Sequence, residues 1–401
     1  MRKYIAAIIL LVISNASIAQ QKMLSMEDAM LNARTTLAPE TLKQLQFIKG
    51  TNDYVYLKKI NGTDTWVKGN FKSKDETVFF TLEQLNHRLR VAGIDTVTAL
   101  PQIQFSNDKY TITLKGQKYA FNTTDSLYKI VMKKDIAEKQ NAEQSNDDYT
   151  AYLDNFNLYV TKNGDTKQVT TDGSKDIVYA SSVHRDEFGI SKGTFWSNDG
   201  KQLAFYRMDQ SMVIDYPIID WTQTPAKSEN IKYPMAGGKS HHVTVGVYNA
   251  ETKKTIWLQT GGPAEQYLTN IAWSPDNRFV FIAVLNRGQD HMWLNQYNAS
   301  TGDFVKTLFE ETDTKYVEPL VPMLFVKNKP DQFIWQSKKD GWNHLYLYNT
   351  NGTLIKQLTS GQWEVQEVRG FDEKGENLFY ISTQQSPVSK NLYELDLKKI
   401  P

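Results

Sequence analysis

Two short strand-and-turn patterns recur along this chain, and their spacing constrains the fold more than any other feature. In the first, an aromatic strand runs into a turn led by Asn. Residues 157–160 read Asn-Leu-Tyr-Val, followed at 163–170 by Asn-Gly-Asp-Thr-Lys-Gln-Val-Thr. Residues 345–348 read Leu-Tyr-Leu-Tyr, followed at 351–359 by Asn-Gly-Thr-Leu-Ile-Lys-Gln-Leu-Thr. Tyr297, Asn298, Ser300, Gly302, Asp303, Thr307 and Leu308 make a third copy. The second pattern is strand, tight turn, strand. It reads Phe-Trp-Ser-Asn-Asp-Gly-Lys-Gln-Leu-Ala-Phe at 195–205, Ala-Trp-Ser-Pro-Asp-Asn-Arg-Phe-Val-Phe at 272–281 and Gly-Phe-Asp-Glu-Lys-Gly-Glu-Asn-Leu-Phe at 370–379. The two patterns together span roughly 40–50 residues, the size of one four-stranded propeller blade. The expectation is an all-β chain built as a β-propeller. A β-sandwich is the structural alternative, but self-similarity at a fixed period favours the propeller.

Strand-like runs of four to eight residues, separated by Asn-Gly and Asp-Gly turns, continue from Gly50 to the C-terminus. Two stretches break the rhythm. Residues 133–148 are polar and read as a blade connection with a short helix or loose turn. Residues 214–238 contain Pro217, Pro225 and Pro234 and read as an excursion out of the sheet. Before Gly50 the texture is helical. Ser25-Met26-Glu27-Asp28 resembles a capping box. Ala38-Pro39-Glu40 starts a second short helix, with Leu42, Leu45 and Ile48 as its apolar stripe. At the start, Arg2 and Lys3 precede an apolar run at 5–13, and Ser17-Ile18-Ala19 supplies small residues for cleavage. This is the pattern of a secretory signal, with an uncleaved anchor as the alternative. The expected organisation is a signal peptide at 1–19, a helical segment at 20–48 and a propeller domain at 49–401, in a periplasmic or secreted protein with no stable membrane span.

Charge and cysteine usage narrow the chemistry. Lys and Arg number 46 against 45 Asp and Glu, a balance that argues against a nucleic-acid partner. The chain has no Cys, so it offers neither disulfides nor a thiolate metal site. No metal or cofactor is expected.

Residues 182–197, Ser-Val-His-Arg-Asp-Glu-Phe-Gly-Ile-Ser-Lys-Gly-Thr-Phe-Trp-Ser, hold two candidate sites. The string from Gly189 to Gly193 matches the hydrolase consensus G-x-S-x-G. That serine works from a strained turn between a buried strand and a helix. Here charged residues precede the string and hairpin chemistry follows it, so Ser191 reads as a loop or strand-entry residue. His241, His242 and His344 lie in loop and turn sequence and read as ordinary surface or turn histidines. The second candidate is the pair Asp186 and Glu187. On a strand, consecutive side chains point to opposite faces, so the two converge only on a turn. Crowded carboxylates are relieved by a cation, and a peptide α-ammonium with a pKa near 8 is one. From the residues alone two readings stand: an ammonium site, or a solvated acidic loop paired with Arg185.

The same stretch carries a resemblance. Asp-Ile-Val-Tyr at 176–179, the 182–197 segment and Leu-Ala-Phe-Tyr-Arg-Met-Asp-Gln-Ser-Met-Val at 203–213 resemble the propeller of bacterial dipeptidyl peptidase IV enzymes, in the prolyl oligopeptidase superfamily. Tyr-Pro-Met-Ala-Gly at 233–237, Val-Thr-Val-Gly-Val-Tyr at 243–248, Gln-Trp-Glu-Val at 362–365 and Asn-Leu-Tyr-Glu at 391–394 extend the match. Entry through Ala-Pro-Glu at 38–40 and Gly-Thr-Asn-Asp-Tyr at 50–54 is similar too. The resemblance implies an eight-bladed propeller stacked on an α/β-hydrolase domain. It also implies a double-glutamate motif on a short helical segment, which binds the substrate's free N-terminus. That motif limits the enzyme to releasing dipeptides, typically with Pro or Ala second. The pair falls on Asp186, a shorter acid, and Glu187, with Arg185 a neighbour for substrate contacts. A family of this kind allows a homodimer. Pro401 falls inside the family's propeller, so the resemblance implies an incomplete propeller without the catalytic Ser, Asp and His, a sequence fragment inactive alone. A stand-alone periplasmic propeller that binds peptides or a protein partner is the competing function.

Overall fold

The computed structural model describes residues 25–33, 35–37, 43–48, 51–106, 109–115, 117–121, 127–129 and 139–398. The expected signal at 1–19 lies outside them. Among the described residues, antiparallel strands form seven blade-like sheets and one two-stranded ribbon. The fold is an all-β propeller with few helices. Seven blades replace the eight-bladed type expected above, because each unit with its connections consumes about 50 residues between 43 and 396. Five sheets have four strands, the fourth has five and the last has three.

The chain divides into two units, Met1–Val131 and Met132–Pro401. The first holds the sheets at 43–81 and 103–129. Its core gathers Val55, Trp66, Phe80, Leu85, Leu89, Ile103 and Ile112. Leu85 and Leu89 are one turn apart on the helix Leu82–Val91 (α1), which the strand reading after Gly50 did not anticipate. A signal for it was present. Thr81 and Gln84 form a capping box, with Gln84 N–H donating to Thr81 Oγ1 at 3.3 Å and Thr81 N–H to Gln84 Oε1 at 2.9 Å.

The expected second N-terminal helix is corrected. Residues 38–42 lie outside the described residues, and Lys43–Phe47 is a strand on the edge of the first sheet. Pairing with Asp53–Ile60 satisfies its backbone, and Phe47 meets the Tyr54 ring edge-on at 6.4 Å. Long-range ladder bonds here override a helical stripe of three residues. Around Ser25, the main-chain N–H of Asp28 donates to Ser25 Oγ at 3.0 Å, and the turn that follows is the single π-type turn Asp28–Asn32. Residues 140–144, expected within a connection, are also a strand, exposed and polar because it forms a sheet edge.

The second unit holds blades 3 to 7, at 140–168, 177–257, 267–312, 324–357 and 365–396. The recurring sequence patterns recur as hydrogen bonds. In blade 4 the Ser197 hydroxyl donates to Asp199 and accepts from Gln202 N–H; in blade 5 Ser274 does the same with Asp276 and Phe279. Asn298 and Asn349 side chains likewise accept main-chain N–H groups of their own turns. The central strands are buried on both faces between neighbouring blades, and Phe279–Leu285 is buried along nearly its whole length. Phe309, Phe333 and Tyr348 stack across the step from blade 5 to blade 6, with Phe309 and Tyr348 ring centres 4.3 Å apart. The excursion at 214–238 is the ribbon of Asp215–Asp220 and Lys227–Lys232, set between strands of blade 4. Among the described residues no helix is long and apolar enough to cross a membrane.

Candidate functional site

Residues 184–186 make a tight left-handed turn between the strands Ile177–Tyr179 and Thr194–Trp196 of blade 4, and Glu187 follows it in extended geometry with φ −75° and ψ 171°. His184, Arg185 and Asp186 have φ of 54°, 58° and 63°, and Phe188 and Gly189 follow at 57° and 71°. Asp186 N–H donates to Val183 O at 3.1 Å and Glu187 N–H to His184 O at 3.2 Å, closing a 3-10 type turn of the unusual hand. L-residues pay roughly 1–2 kcal/mol each for this conformation. It persists only where the surroundings over-determine it.

The surroundings do so from below. Val183, His184, Phe188 and Ile190 are buried, while Arg185, Asp186 and Glu187 face solvent. His184 uses both ring nitrogens. Its Nε2 accepts the Leu268 N–H of blade 5 at 3.1 Å. That places the proton on Nδ1, which lies 2.9 Å from His241 Nε2 and donates to it. The Leu268 carbonyl in turn accepts the Tyr206 hydroxyl at 2.9 Å, so one residue of blade 5 is held twice by blade 4. Tyr267 packs edge-on against His184 at 4.9 Å and tilted against Phe188 at 5.1 Å, and its hydroxyl accepts from Arg287.

Burial drives the electrostatics. It pushes His184 well below the usual histidine range, helped by the charges at His241 and Arg287. His241 is pushed down to about 4 by burial, then by Arg287 and Arg185. Both rings are neutral near pH 7. The expectation of surface or turn histidines is therefore corrected for His241 and His344, which are at most 4% exposed, while His242 is half-buried. His344 is held by Thr359 and by the Gly361 carbonyl. No single-sequence signal marked the buried histidines, because their ring partners lie 15 to 84 positions away.

Asp186 and Glu187 share the turn, and among the described residues neither carboxylate has a hydrogen-bond or ion-pair partner. Arg185 does not pair with them. Its guanidinium sits over the Tyr233 ring at 5.3 Å. Arg185 also lines a cleft of 640 Å3, with Tyr179, Val178, Gln210, Ile231 and Lys232. Neither acid lines that cleft. The unpartnered charge is the better guide, since that cleft's Lys232 already contacts Asp176 and Asp215.

The G-x-S-x-G string has a packing explanation. A Cβ on Gly189, already at positive φ, would collide with the Leu320 carbonyl, and one on Gly193 with the Ser181 carbonyl. Ser191 is exposed, and the described histidines nearest in sequence, His184 and His241, are committed to each other. No group of three His, Asp or Glu among the described residues is placed to hold a metal ion.

Residues 104–400 match the model of the dipeptidyl peptidase IV (DPP IV) N-terminal region. This chain belongs to that family. The DPP IV N-terminal region also recurs among its relatives. A Bacteroides ovatus crystal structure named as a dipeptidyl aminopeptidase IV is 34% identical, with a TM-score of 0.76, over 90% of this chain and 52% of that one. Porphyromonas gingivalis dipeptidyl peptidase 4, 22% identical with a TM-score of 0.68, shares the fold over 94% of this chain and 55% of its own. A Talaromyces marneffei protein named as a dipeptidyl-aminopeptidase B is 27% identical over 281 residues, 62% of this chain and 31% of that protein. The chain thus spans about a third of its curated relatives and half of the solved ones.

Proposed function

We propose that this DPP IV N-terminal propeller binds the free N-terminus of peptides through Asp186 and Glu187. It acts as the substrate-gating part of a secreted serine exopeptidase that releases N-terminal dipeptides. The observation that carries the reading is a pair of solvent-facing, unpartnered carboxylates on a strained turn held by buried contacts. An α-ammonium brings three donors and one positive charge. Charge-assisted hydrogen bonds to two carboxylates are each worth roughly 1.5–3 kcal/mol. A peptide lacking the free amine gains none of them, which is how such a site would count residues from the N-terminus. Arg185 is the adjacent cation for substrate contacts. In this reading the propeller binds the peptide N-terminus, and bond cleavage is the work of an α/β-hydrolase domain of the kind the resemblance implies.

The signal pattern at 1–19 supports export to the periplasm or beyond. The ribbon supports a homodimer contact: Trp221 at its tip is 80% exposed, with Ile218 and Ile219 beside it.

The test is calorimetric titration of the chain with a Gly-Pro-Ala-Ala peptide and with its N-acetylated form. The free amine should bind, the acetylated form should not, and Glu187→Gln should weaken binding at least about tenfold, or 1.4 kcal/mol. Equal binding of both peptides, or an unaffected Glu187→Gln, refutes the ammonium site. Hydrolysis of a Gly-Pro chromogenic substrate by the chain refutes the division of labour.

A further inference from the structure

We infer that His184 and His241 are positioning residues: their hydrogen bond holds the left-handed turn that carries Asp186 and Glu187. The inference rests on the proposed ammonium site for its functional meaning, but the turn itself can be read independently.

The argument begins with the backbone. Three consecutive non-glycine residues at positive φ are unfavourable; Asp186 is the third of them, and Glu187 follows directly in extended geometry, so the turn sets where both acids emerge. In a right-handed turn or an extended strand, Asp186 and Glu187 would project elsewhere. What opposes relaxation is local and specific. His184 is the first residue of the turn and is 2% exposed. Its side chain bridges Leu268 N–H on one side and His241 Nε2 on the other. His241, 4% exposed, reaches the turn from the segment preceding the strand His242–Asn249. Phe188 on Tyr267 and Gly189 against the Leu320 carbonyl hold the far end. The turn is thus pinned at both ends, and the acids lie between the pins.

His184 donates through Nδ1–H, so His241 matters as an acceptor. Removing it leaves a buried donor without a partner, whereas an acceptor of similar reach restores the bond. This gives a test that bulk or fold stability alone would not mimic. His241→Leu removes the acceptor and His241→Gln keeps one. Hydrogen exchange of the full chain, read by mass spectrometry, reports residues 183–190 separately from the strand Gln202–Asp209.

We expect His241→Leu to speed exchange at 183–190 at least about tenfold with Gln202–Asp209 unchanged, and His241→Gln to stay within about threefold of the parent. Unchanged exchange at 183–190 in His241→Leu, or equal loss in both variants, overturns the inference. Should His241→Leu loosen Gln202–Asp209 as well, His241→Asn decides. Its acceptor falls short of His184, so exchange must rise at 183–190 alone. A rise in both segments, or in neither, overturns it. In the same proteins, binding of free-amine Gly-Pro-Ala-Ala should weaken about tenfold in His241→Leu and recover in His241→Gln. If the parent chain does not bind that peptide, the ammonium reading fails, and the exchange result still judges the positioning role.

Discussion

Acidification from pH 7 to pH 5 should destabilise this propeller through the buried histidine pair, well before its carboxylates protonate. The ordinary value for either histidine is 6.5; in the folded chain His241 falls to about 4 and His184 well below 6.5. Both are depressed, so the unfolded chain binds protons that the folded chain refuses. Their stability contribution is complete above pH 6.5 and is lost as the pH falls toward 4. Each excess proton costs about 1.4 kcal/mol per pH unit, so His241 alone should lose roughly 1.5 kcal/mol between pH 6.5 and 5, and His184 adds to the loss in the same direction. The groups facing the pair are Arg287, Arg185, His242, Glu265 and Tyr267. Of the charged ones, only Glu265 favours protonation of His241. Glu311, raised by burial, works in the opposite direction, which makes a matched control necessary. Urea unfolding by tryptophan fluorescence at pH 7, 6 and 5 measures the effect. The His241→Gln variant has one fewer titrating ring, and its stability should fall with pH less steeply by about 1.4 kcal/mol per unit. Parallel pH dependence in parent and variant would refute the assignment of a buried neutral pair.

Other expectations test the neighbouring features. Gly193→Ala should lower the unfolding free energy from urea titration by an amount on the order of 2–4 kcal/mol, because its Cβ meets the Ser181 carbonyl. Ser191→Ala should leave both the midpoint and peptide binding unchanged; a loss of either would return Ser191 to the site. If the ribbon joins two copies, Trp221→Glu should shift the chain toward monomer in sedimentation velocity without altering its urea midpoint, since Trp221 is 80% exposed.

The acidic pair was legible as a motif but not as a geometry. Residue chemistry admits an ammonium site and a solvated acidic loop paired with Arg185. The position of Arg185 over the Tyr233 ring is not legible locally, because that ring lies 48 positions further along the chain. The false serine motif was rejected from its flanks alone, and the structure adds why both glycines stand there: two carbonyls from elsewhere in the chain press on them. In two places distant contacts override the local pattern: Lys43–Phe47 pairs as a strand against a helical stripe, and His241 and His344, expected at the surface, are buried.

Local sequence by itself determined the strand-and-turn units, their period and hence the propeller. Side-chain alternation and turn chemistry act within a few residues and do not depend on distant partners. Tertiary structure alone decided the hand of the turn at 184–186 and the neutrality of the histidines beneath it. His184 meets its partners 57 and 84 positions away, and only those contacts offset a backbone conformation and a buried ring that local preference disfavours.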